Sequence, residues 1–222
     1  PKLARDNFEM LFNIVEYCRY TSIKNIIFAS SREVYGNAGR DIYAEDDSHV
    51  KNCESPYTAS KISGEALIHA YHQCYGLDFV ITRFSNVYGM YDDSDRVIPL
   101  FIKHTLKNQD LEVYGKDKFL DFTYIDDTVT GILMCIERFT TIKNNVFNIA
   151  SGKSVSIIKV AEMIKNSMAG KNKIILKENR TGEVIRSAID ITKAKSHLGY
   201  RPMVSIDEGI SRSIKWYVQF YS

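Results

Sequence analysis

The chain has 222 residues, 45% of them hydrophobic and 25% charged, an ordinary globular composition long enough for one domain or two small ones. Its 29 basic and 27 acidic residues are interspersed and leave a net charge of +2, so no basic stripe marks the chain for nucleic acid. No apolar run is long enough to span a bilayer, no signal-peptide pattern opens the sequence, and the scattered cysteines (Cys18, Cys53, Cys74, Cys135) form no CxxC pair, which argues against a membrane protein, a disulfide framework or a zinc site and for reduced thiols in the cytoplasm.

In chain order, Leu3–Tyr20 carries Phe8, Leu11, Ile14, Val15 and Cys18 at helical spacing and predicts an amphipathic helix. Asn25–Ala29 is a short continuous apolar run, as in a strand buried on both faces. A loop rich in Gly, Asp and Ser follows. Ser55 then reads as a helix cap and Pro56 as the first helical residue; the helix runs to about Tyr75, where Gly76 stops it. Phe79–Phe84 is a second buried strand. The pattern predicts helix over Val97–Asn108, short strands over Leu111–Tyr114 and Phe122–Ile125, helix over Asp126–Arg138 and strand over Val146–Ile149. Ser156–Met168 is a helix capped by Ser154 or Ser156, Lys173–Leu176 a strand, and Asp207–Phe220 a closing amphipathic helix.

Strands alternating with helices predict an α/β fold built on a mostly parallel sheet. Such a sheet, when it binds a dinucleotide, opens with a strand, a Gly-rich turn and a helix. No two of the twelve glycines are spaced for GxGxxG, and the chain opens inside a helix. The sequence is therefore expected to be the C-terminal part of a longer polypeptide.

Tyr57 and Lys61 lie four residues apart, on one face of the helix that begins at Pro56. A tyrosine ionises near pH 10, too high for a base at neutrality, and a neighbouring ammonium favours its phenolate. A phenol tuned in this way can take a proton from a substrate hydroxyl. The spacing alone is weak in a chain with 14 tyrosines. Its setting adds to it: Asn25–Ala29 runs into Ser30 and Ser31, and Phe79–Phe84 into Ser85 and Asn86, so two strand ends with polar tips flank the Tyr/Lys helix, where parallel sheets bind ligands.

The runs Phe28–Gly36 (FASSREVYG), Ser55–Lys61 (SPYTASK) and Arg83–Gly89 (RFSNVYG) are followed in order by Asp121–Asp127 (DFTYIDD), Val146–Gly152 (VFNIASG), Arg180–Glu183 (RTGE) and Asp190–Ala194 (DITKA). Together they resemble the extended short-chain dehydrogenase/reductase family, and within it the NAD-dependent sugar-nucleotide epimerases and dehydratases, the UDP-glucose 4-epimerase branch above all. The resemblance implies the C-terminal part of a doubly wound Rossmann-type parallel sheet plus a smaller α/β substrate-binding domain. Residues 1–90 would form the second half of the NAD-binding domain, the sheet returning at about 116–150, and residues 91–222 would be mainly the substrate domain. The implied reaction is NAD-dependent epimerisation of a nucleotide-diphosphate sugar at C4 through a 4-keto intermediate. The alternatives are a 4,6-dehydratase or sugar-acid decarboxylase on the same scaffold, or a non-catalytic nucleotide-sugar-binding module.

Position by position, the resemblance makes Tyr57 the acid/base, Ser31 the hydroxyl on the reacting sugar oxygen, and Lys61 the ligand of the nicotinamide ribose that lowers the tyrosine pKa. Glu33 matches a glutamate of the dehydratases and decarboxylases. Asn7, Ser30, Phe84 and Ser85 fall at the cofactor; Asn86 falls at a substrate phosphate, Val97, Ile98 and Tyr114 around the base, Arg180 on the diphosphate and Glu183 on the nucleotide ribose. The helices Leu3–Tyr20 and Ser55–Tyr75 match the pair that forms a dimeric four-helix bundle, implying a homodimer.

Two positions depart from the family. Leu120 stands where an arginine is a second phosphate ligand, so either another base such as Arg96 compensates or the diphosphate is held less tightly. Arg32 stands where the dehydratases have an aspartic acid that helps expel the C6 hydroxyl, which ranks epimerase above dehydratase. Plainer readings stay open at this stage: Ser31 as a loop cap, Glu33 as a solvated carboxylate, Asn86 as turn chemistry, Arg180 as a surface charge. His69 and His72 read as helix surface rather than metal ligands, and Trp216, Tyr217, Phe220 and Tyr221 as packing.

Overall fold

The computed structural model describes residues 2–179 and 186–221. The elements are α1 Lys2–Tyr20, β1 Asn25–Ser31, β2 Ile42–Tyr43, α2 Pro56–Tyr75, β3 Asp78–Phe84, β4 Asn86–Tyr88, α3 Val97–Leu106, β5 Leu111–Tyr114, β6 Phe119–Tyr124, α4 Ile125–Glu137, α5 Phe139–Ile142, β7 Asn145–Ile149, β8 Ser154–Ser156, α6 Ile157–Ser167, β9 Ile174–Lys177, β10 Arg186–Ile189, α7 Thr192–Leu198 and α8 Ile206–Tyr221.

The first sheet runs β1-β3-β7 with every pair parallel. Strand β3 is its centre and is buried on both faces, which is why its sequence is a continuous apolar run. Phe79 and Ile81 face α1 and α2, where they meet Leu11, Val15, Ile68 and Tyr71. Val80, one residue out of phase, joins Cys135 of α4, Phe147 and Ile149 of β7, and Leu198 of α7 on the other side. The result is helix on both faces of a parallel sheet, a doubly wound α/β arrangement.

A second sheet runs β2-β10-β6-β4, all parallel, with β8 antiparallel to β6. A third pairs β5 with β9. Helices α3, α6 and α8 close a separate core over these strands, built from Ile98, Phe101, Ile102, Leu111, Val113, Ile164, Ile210 and Tyr217.

Local signals set the ends of α2. Ser55 Oγ accepts from the Thr58 N–H at 3.1 Å, Pro56 opens the helix, and Gly76 closes it in the left-handed region at φ 68°. Gly64, in mid-helix, is a contact requirement: a Cβ there would come 2.7 Å from Phe28 Cζ of β1.

Several elements differ from the sequence expectation. Helix α3 ends at Leu106, two residues early, because Asn108 takes a left-handed φ of 51°. Strand β6 begins at Phe119, three residues early, because Phe119 and Leu120 pair with β10 on one side and β8 on the other. Long-range pairing of this kind leaves no local periodicity. The same holds for β2, β4, β8 and β10, and with the short helices α5 and α7 they were not anticipated. Among the described residues, no helix is long and apolar enough to cross a membrane, and no group of His, Cys, Asp and Glu could hold a metal ion.

Candidate active site

The C-terminal ends of β1 and β3 and the first turns of α2 and α3 border one cleft of about 440 Å³. Its lining includes Ser30, Ser31, Glu33, Tyr57, Lys61, Phe84, Ser85, Asn86, Val97 and Ile98. Of the residues to which the family resemblance gave a role, these ten converge on this one place. Asn7 and Tyr114 are not among the lining residues. Asn7 instead donates to Ser60 Oγ at 3.0 Å, on the helix that carries Tyr57, and Tyr114 OH donates to Glu112 Oε2 at 2.8 Å. Arg180 and Glu183 lie outside the described residues.

The centre of the cleft is a hydroxyl pair. Ser31 ends β1, and its Oγ accepts the Glu33 N–H at 3.2 Å, capping the turn Arg32–Tyr35. The same Ser31 side chain faces the Tyr57 phenol across the cleft and draws its pKa down. Ser31 thus caps the turn and lines the cleft at once. Gly36 closes this turn at φ 60°, where a Cβ would sit 2.0 Å from the Asn52 carbonyl oxygen.

Burial outweighs the influence of the Ser31 hydroxyl at Tyr57, and the phenol pKa lies above its ordinary value, raised further by the Glu33 carboxylate and lowered by Arg96 and Arg32. The sequence expectation was that Lys61 lowers it. Lys61 Nζ instead donates to the Ala29 carbonyl at 2.9 Å, with its ammonium 5.8 Å from the centre of the Tyr57 ring. Burial also pushes the lysine's own pKa down.

Behind the cleft, a buried polar network fixes these elements. Arg83 makes a bidentate pair with Glu65, Nη2 to Oε2 at 2.6 Å and Nε to Oε1 at 2.9 Å. Ser30 donates to the same Glu65 Oε1 at 2.5 Å. Arg83 Nη1 donates to the Glu45 carbonyl at 2.6 Å and to Tyr35 OH at 3.1 Å, and Tyr35 OH donates to Asn148 Oδ1 at 2.5 Å. Glu65 lies two turns beyond Tyr57 on α2, so this pair ties α2 to β3 and, through Ser30, to β1.

On the far wall, Ser85 Oγ and Asn86 Nδ2 both donate to the Asp121 carbonyl, each at 2.7 Å. The Asp121 carboxylate, fully buried, collects N–H bonds from Ser151, Gly152 and Lys153 and so pins the loop after β7.

Sequence reasoning assigned no role to the lining residues Asp95, Lys118 and Phe122. Lys118, Leu120 and Phe122 all face the cleft, the period-two pattern of a strand that an earlier start of β6 would have revealed. Arg32 follows Ser31 directly, yet is only 8% exposed.

The sequence model of the NAD-dependent epimerase/dehydratase family matches residues 2–150. The chain is 32% identical over 197 residues to a dTDP-glucose 4,6-dehydratase of Actinoplanes sp., covering 88% of this chain and 60% of that one. It is 30% identical over 212 residues to a UDP-glucuronate 4-epimerase of Thermodesulfobacterium geofontis, covering 95% and 64%. Among solved structures, the UDP-glucuronic acid 4-epimerase of Bacillus cereus, in complex with UDP-glucuronic acid and NAD, superposes with a TM-score of 0.91 at 29% identity over 97% of this chain and 68% of that one. The chain spans 63%, 66% and 68% of the length of three other curated relatives it matches.

Proposed function

The chain belongs to the NAD-dependent epimerase/dehydratase family, and from that premise we propose that it carries the catalytic half of an enzyme that epimerises a nucleotide-diphosphate sugar at C4. The observation that carries this reading is the Ser31–Tyr57 hydroxyl pair, set in a cleft at the C-terminal ends of parallel strands with the Lys61 ammonium beside it.

In this reading Tyr57 takes the proton of the C4 hydroxyl, and Ser31, on the same cleft, holds the same sugar oxygen. Tyr57 later returns the proton after the keto sugar has turned in the site. NAD, when bound, supplies the acceptor for the C4 hydrogen and gives it back, so no net redox change results. Its nicotinamide end would be held by Lys61, Ser30, Phe84 and Ser85. The donor set suits it: a half-buried ammonium with three N–H groups for ribose hydroxyls, two serine hydroxyls, and an aromatic face. Asn86 would meet a substrate phosphate, and Val97 and Ile98 the nucleotide base, with Tyr114, Arg180, Glu183 and Asn7 completing the set that the family pattern implies.

A dehydratase must also protonate a departing C6 hydroxyl. The residue after Ser31 is Arg32, a permanent cation that cannot do this, and this favours the epimerase. Glu33 is a carboxyl on the same cleft, so the lyase reading is tested directly. The full-length protein is incubated with UDP-glucose, UDP-N-acetylglucosamine and UDP-glucuronate and the products are weighed: an epimer keeps its mass, while loss of water or carbon dioxide identifies a lyase.

A second copy of the chain is the proposed partner. Helix α1 exposes Met10, Ile14 and Tyr17 at i, i+4, i+7 spacing, an apolar face that a second α1–α2 pair would cover in a four-helix bundle. The four free thiols suit the cytoplasm.

A further inference from the structure

Residues 89–96 join β4 to α3 and bring Asp95 and Arg96 to the cleft. This strap contains neither helix nor strand, and Tyr91 within it takes a left-handed φ of 64°. A residue other than glycine holds that conformation where its surroundings impose it. Here the surroundings belong to α8. Tyr91 packs on Trp216 with ring centroids 5.1 Å apart, and Trp216 stacks on Phe220. The fully buried Tyr217 donates its hydroxyl to the Asp92 carbonyl. Tyr221, one turn on, donates to Asp93 Oδ1 at 2.6 Å, an oxygen that Lys103 of α3 also holds at 3.3 Å. We infer that Tyr217 and Tyr221 are positioning residues, which latch the strap so that Arg96 is held at the cleft of the Tyr57 phenol. This role presupposes Tyr57 as the acid/base and adds the device that places one of the charges around it.

The bonds run in sequence from α8 to Arg96. Tyr217 fixes the Asp92 carbonyl, Asp92 Oδ1 accepts the Ser94 N–H at 3.1 Å, and Ser94 Oγ accepts the Arg96 N–H at 3.3 Å. Arg96 itself is the residue at which α3 starts, and its side chain makes no capping bond there. Arginine offers no oxygen to cap a helix, and the helix dipole disfavours a cation at this end. The local chemistry of α3 therefore does not account for an arginine at this position.

The charged side chains lining the cleft, among the described residues, are Arg32 and Glu33 after β1, Lys61 on the helix of Tyr57, Lys118 just before β6, and Asp95 and Arg96 on the strap. Arg32 and Glu33 face each other at 3.8 Å, and Lys61 is bonded to the Ala29 carbonyl. On the strap, Asp95 lies 4.0 Å from Lys103, while Arg96 favours the phenolate of Tyr57. Arg96 is thus the charge through which a latch on α8 reaches the acid/base. Packing of α8 needs the rings of Tyr217 and Tyr221, which stack at 5.8 Å, whereas the latch needs their hydroxyls.

The test compares the full-length protein as wild type, Arg96→Gln, the double variant Y217F/Y221F and the triple variant that combines all three changes. Phenylalanine keeps the rings and removes only the hydroxyls. Two quantities are measured: amide hydrogen exchange across residues 92–96, and the pH profile of kcat/KM. Y217F/Y221F is expected to exchange faster at Ser94 and Arg96 and to move the rising limb to higher pH, in the direction of Arg96→Gln and no further. The triple variant should have the limb of Arg96→Gln. If Y217F/Y221F does not fold, Tyr221→Phe alone, at a phenol 45% exposed, is expected to change both quantities in the same direction. Unchanged exchange in the hydroxyl variant overturns the latch. Faster exchange with an unmoved limb, where Arg96→Gln does move it, makes the tyrosines structural and overturns the inference, as does a further shift in the triple variant. A limb that Arg96→Gln itself leaves unmoved overturns instead the assignment of the limb to Tyr57, and is seen without any tyrosine variant.

Discussion

Lys61 Nζ is bonded to the Ala29 carbonyl at 2.9 Å, and its ammonium stands 5.8 Å from the centre of the Tyr57 ring. The lysine is therefore anchored to the end of β1, the same strand that presents Ser31. The Tyr57 hydroxyl responds to its own burial, to Ser31, and to the charges of Glu33, Arg96 and Arg32.

The pH dependence of kcat/KM follows from that list. Tyr57 must be deprotonated to accept the substrate proton, and its pKa is raised, so the rate should climb with pH. Glu33 raises this pKa, so Glu33→Gln should move the rising limb to lower pH. Arg96 lowers it, so Arg96→Gln should move the limb to higher pH. A pH profile of each variant checks the signs; two shifts in the same direction would refute the assignment of the limb to Tyr57.

Tyr57→Phe removes the acid/base and keeps the ring. We expect kcat to fall by about 10²- to 10⁴-fold while nucleotide-sugar affinity stays near wild type. Steady-state kinetics with calorimetric binding would show this, and near-normal turnover would displace Tyr57 from its role.

The Glu65–Arg83 pair is buried and bidentate, with Glu65 also holding Ser30. Glu65→Gln strands the guanidinium, and breaking such a pair costs about 3–5 kcal/mol. Urea denaturation should show that loss, and the double replacement Glu65→Leu with Arg83→Met should cost less than the two single losses added. Full additivity would mean the two residues do not act as a unit.

How much of this was open to a reader of the sequence depends on locality. Ser55, Pro56 and Gly76 mark the ends of α2 by chemistry that acts within one turn, so the helix carrying Tyr57 and Lys61 was legible nearly to the residue. The apolar runs of β1 and β3 announced buried strands, and with them the cleft where Ser31 and Tyr57 meet. What was hidden depends on partners far along the chain. Strand β10 is four residues long and stands where it does because β2 and β6 flank it. Arg32 was legible as a departure from the dehydratase pattern beside Ser31, but its bond to Asn86, 54 residues later, was not. Four-residue helical spacing says that Lys61 is near Tyr57, but not that burial of the phenol raises its pKa or that the Ala29 carbonyl holds the ammonium.

The exposed face of α1 sets a further expectation. If a second copy covers Met10, Ile14 and Tyr17, then Ile14→Asp with Tyr17→Glu should convert a dimer to a monomer of unchanged helix content. Sedimentation equilibrium distinguishes the two, and a wild type that is monomeric at micromolar concentration contradicts the bundle.

The most direct test of the account follows the hydrogen at C4. A nucleotide-diphosphate glucose labelled with deuterium at C4 is incubated with the full-length enzyme, and the product is examined by NMR. The expected result is inversion at C4 with the deuterium still on that carbon, because Tyr57 handles the hydroxyl proton while the carbon-bound hydrogen leaves and returns within the site. Deuterium lost to water, or a product whose C4 configuration is unchanged, would contradict it.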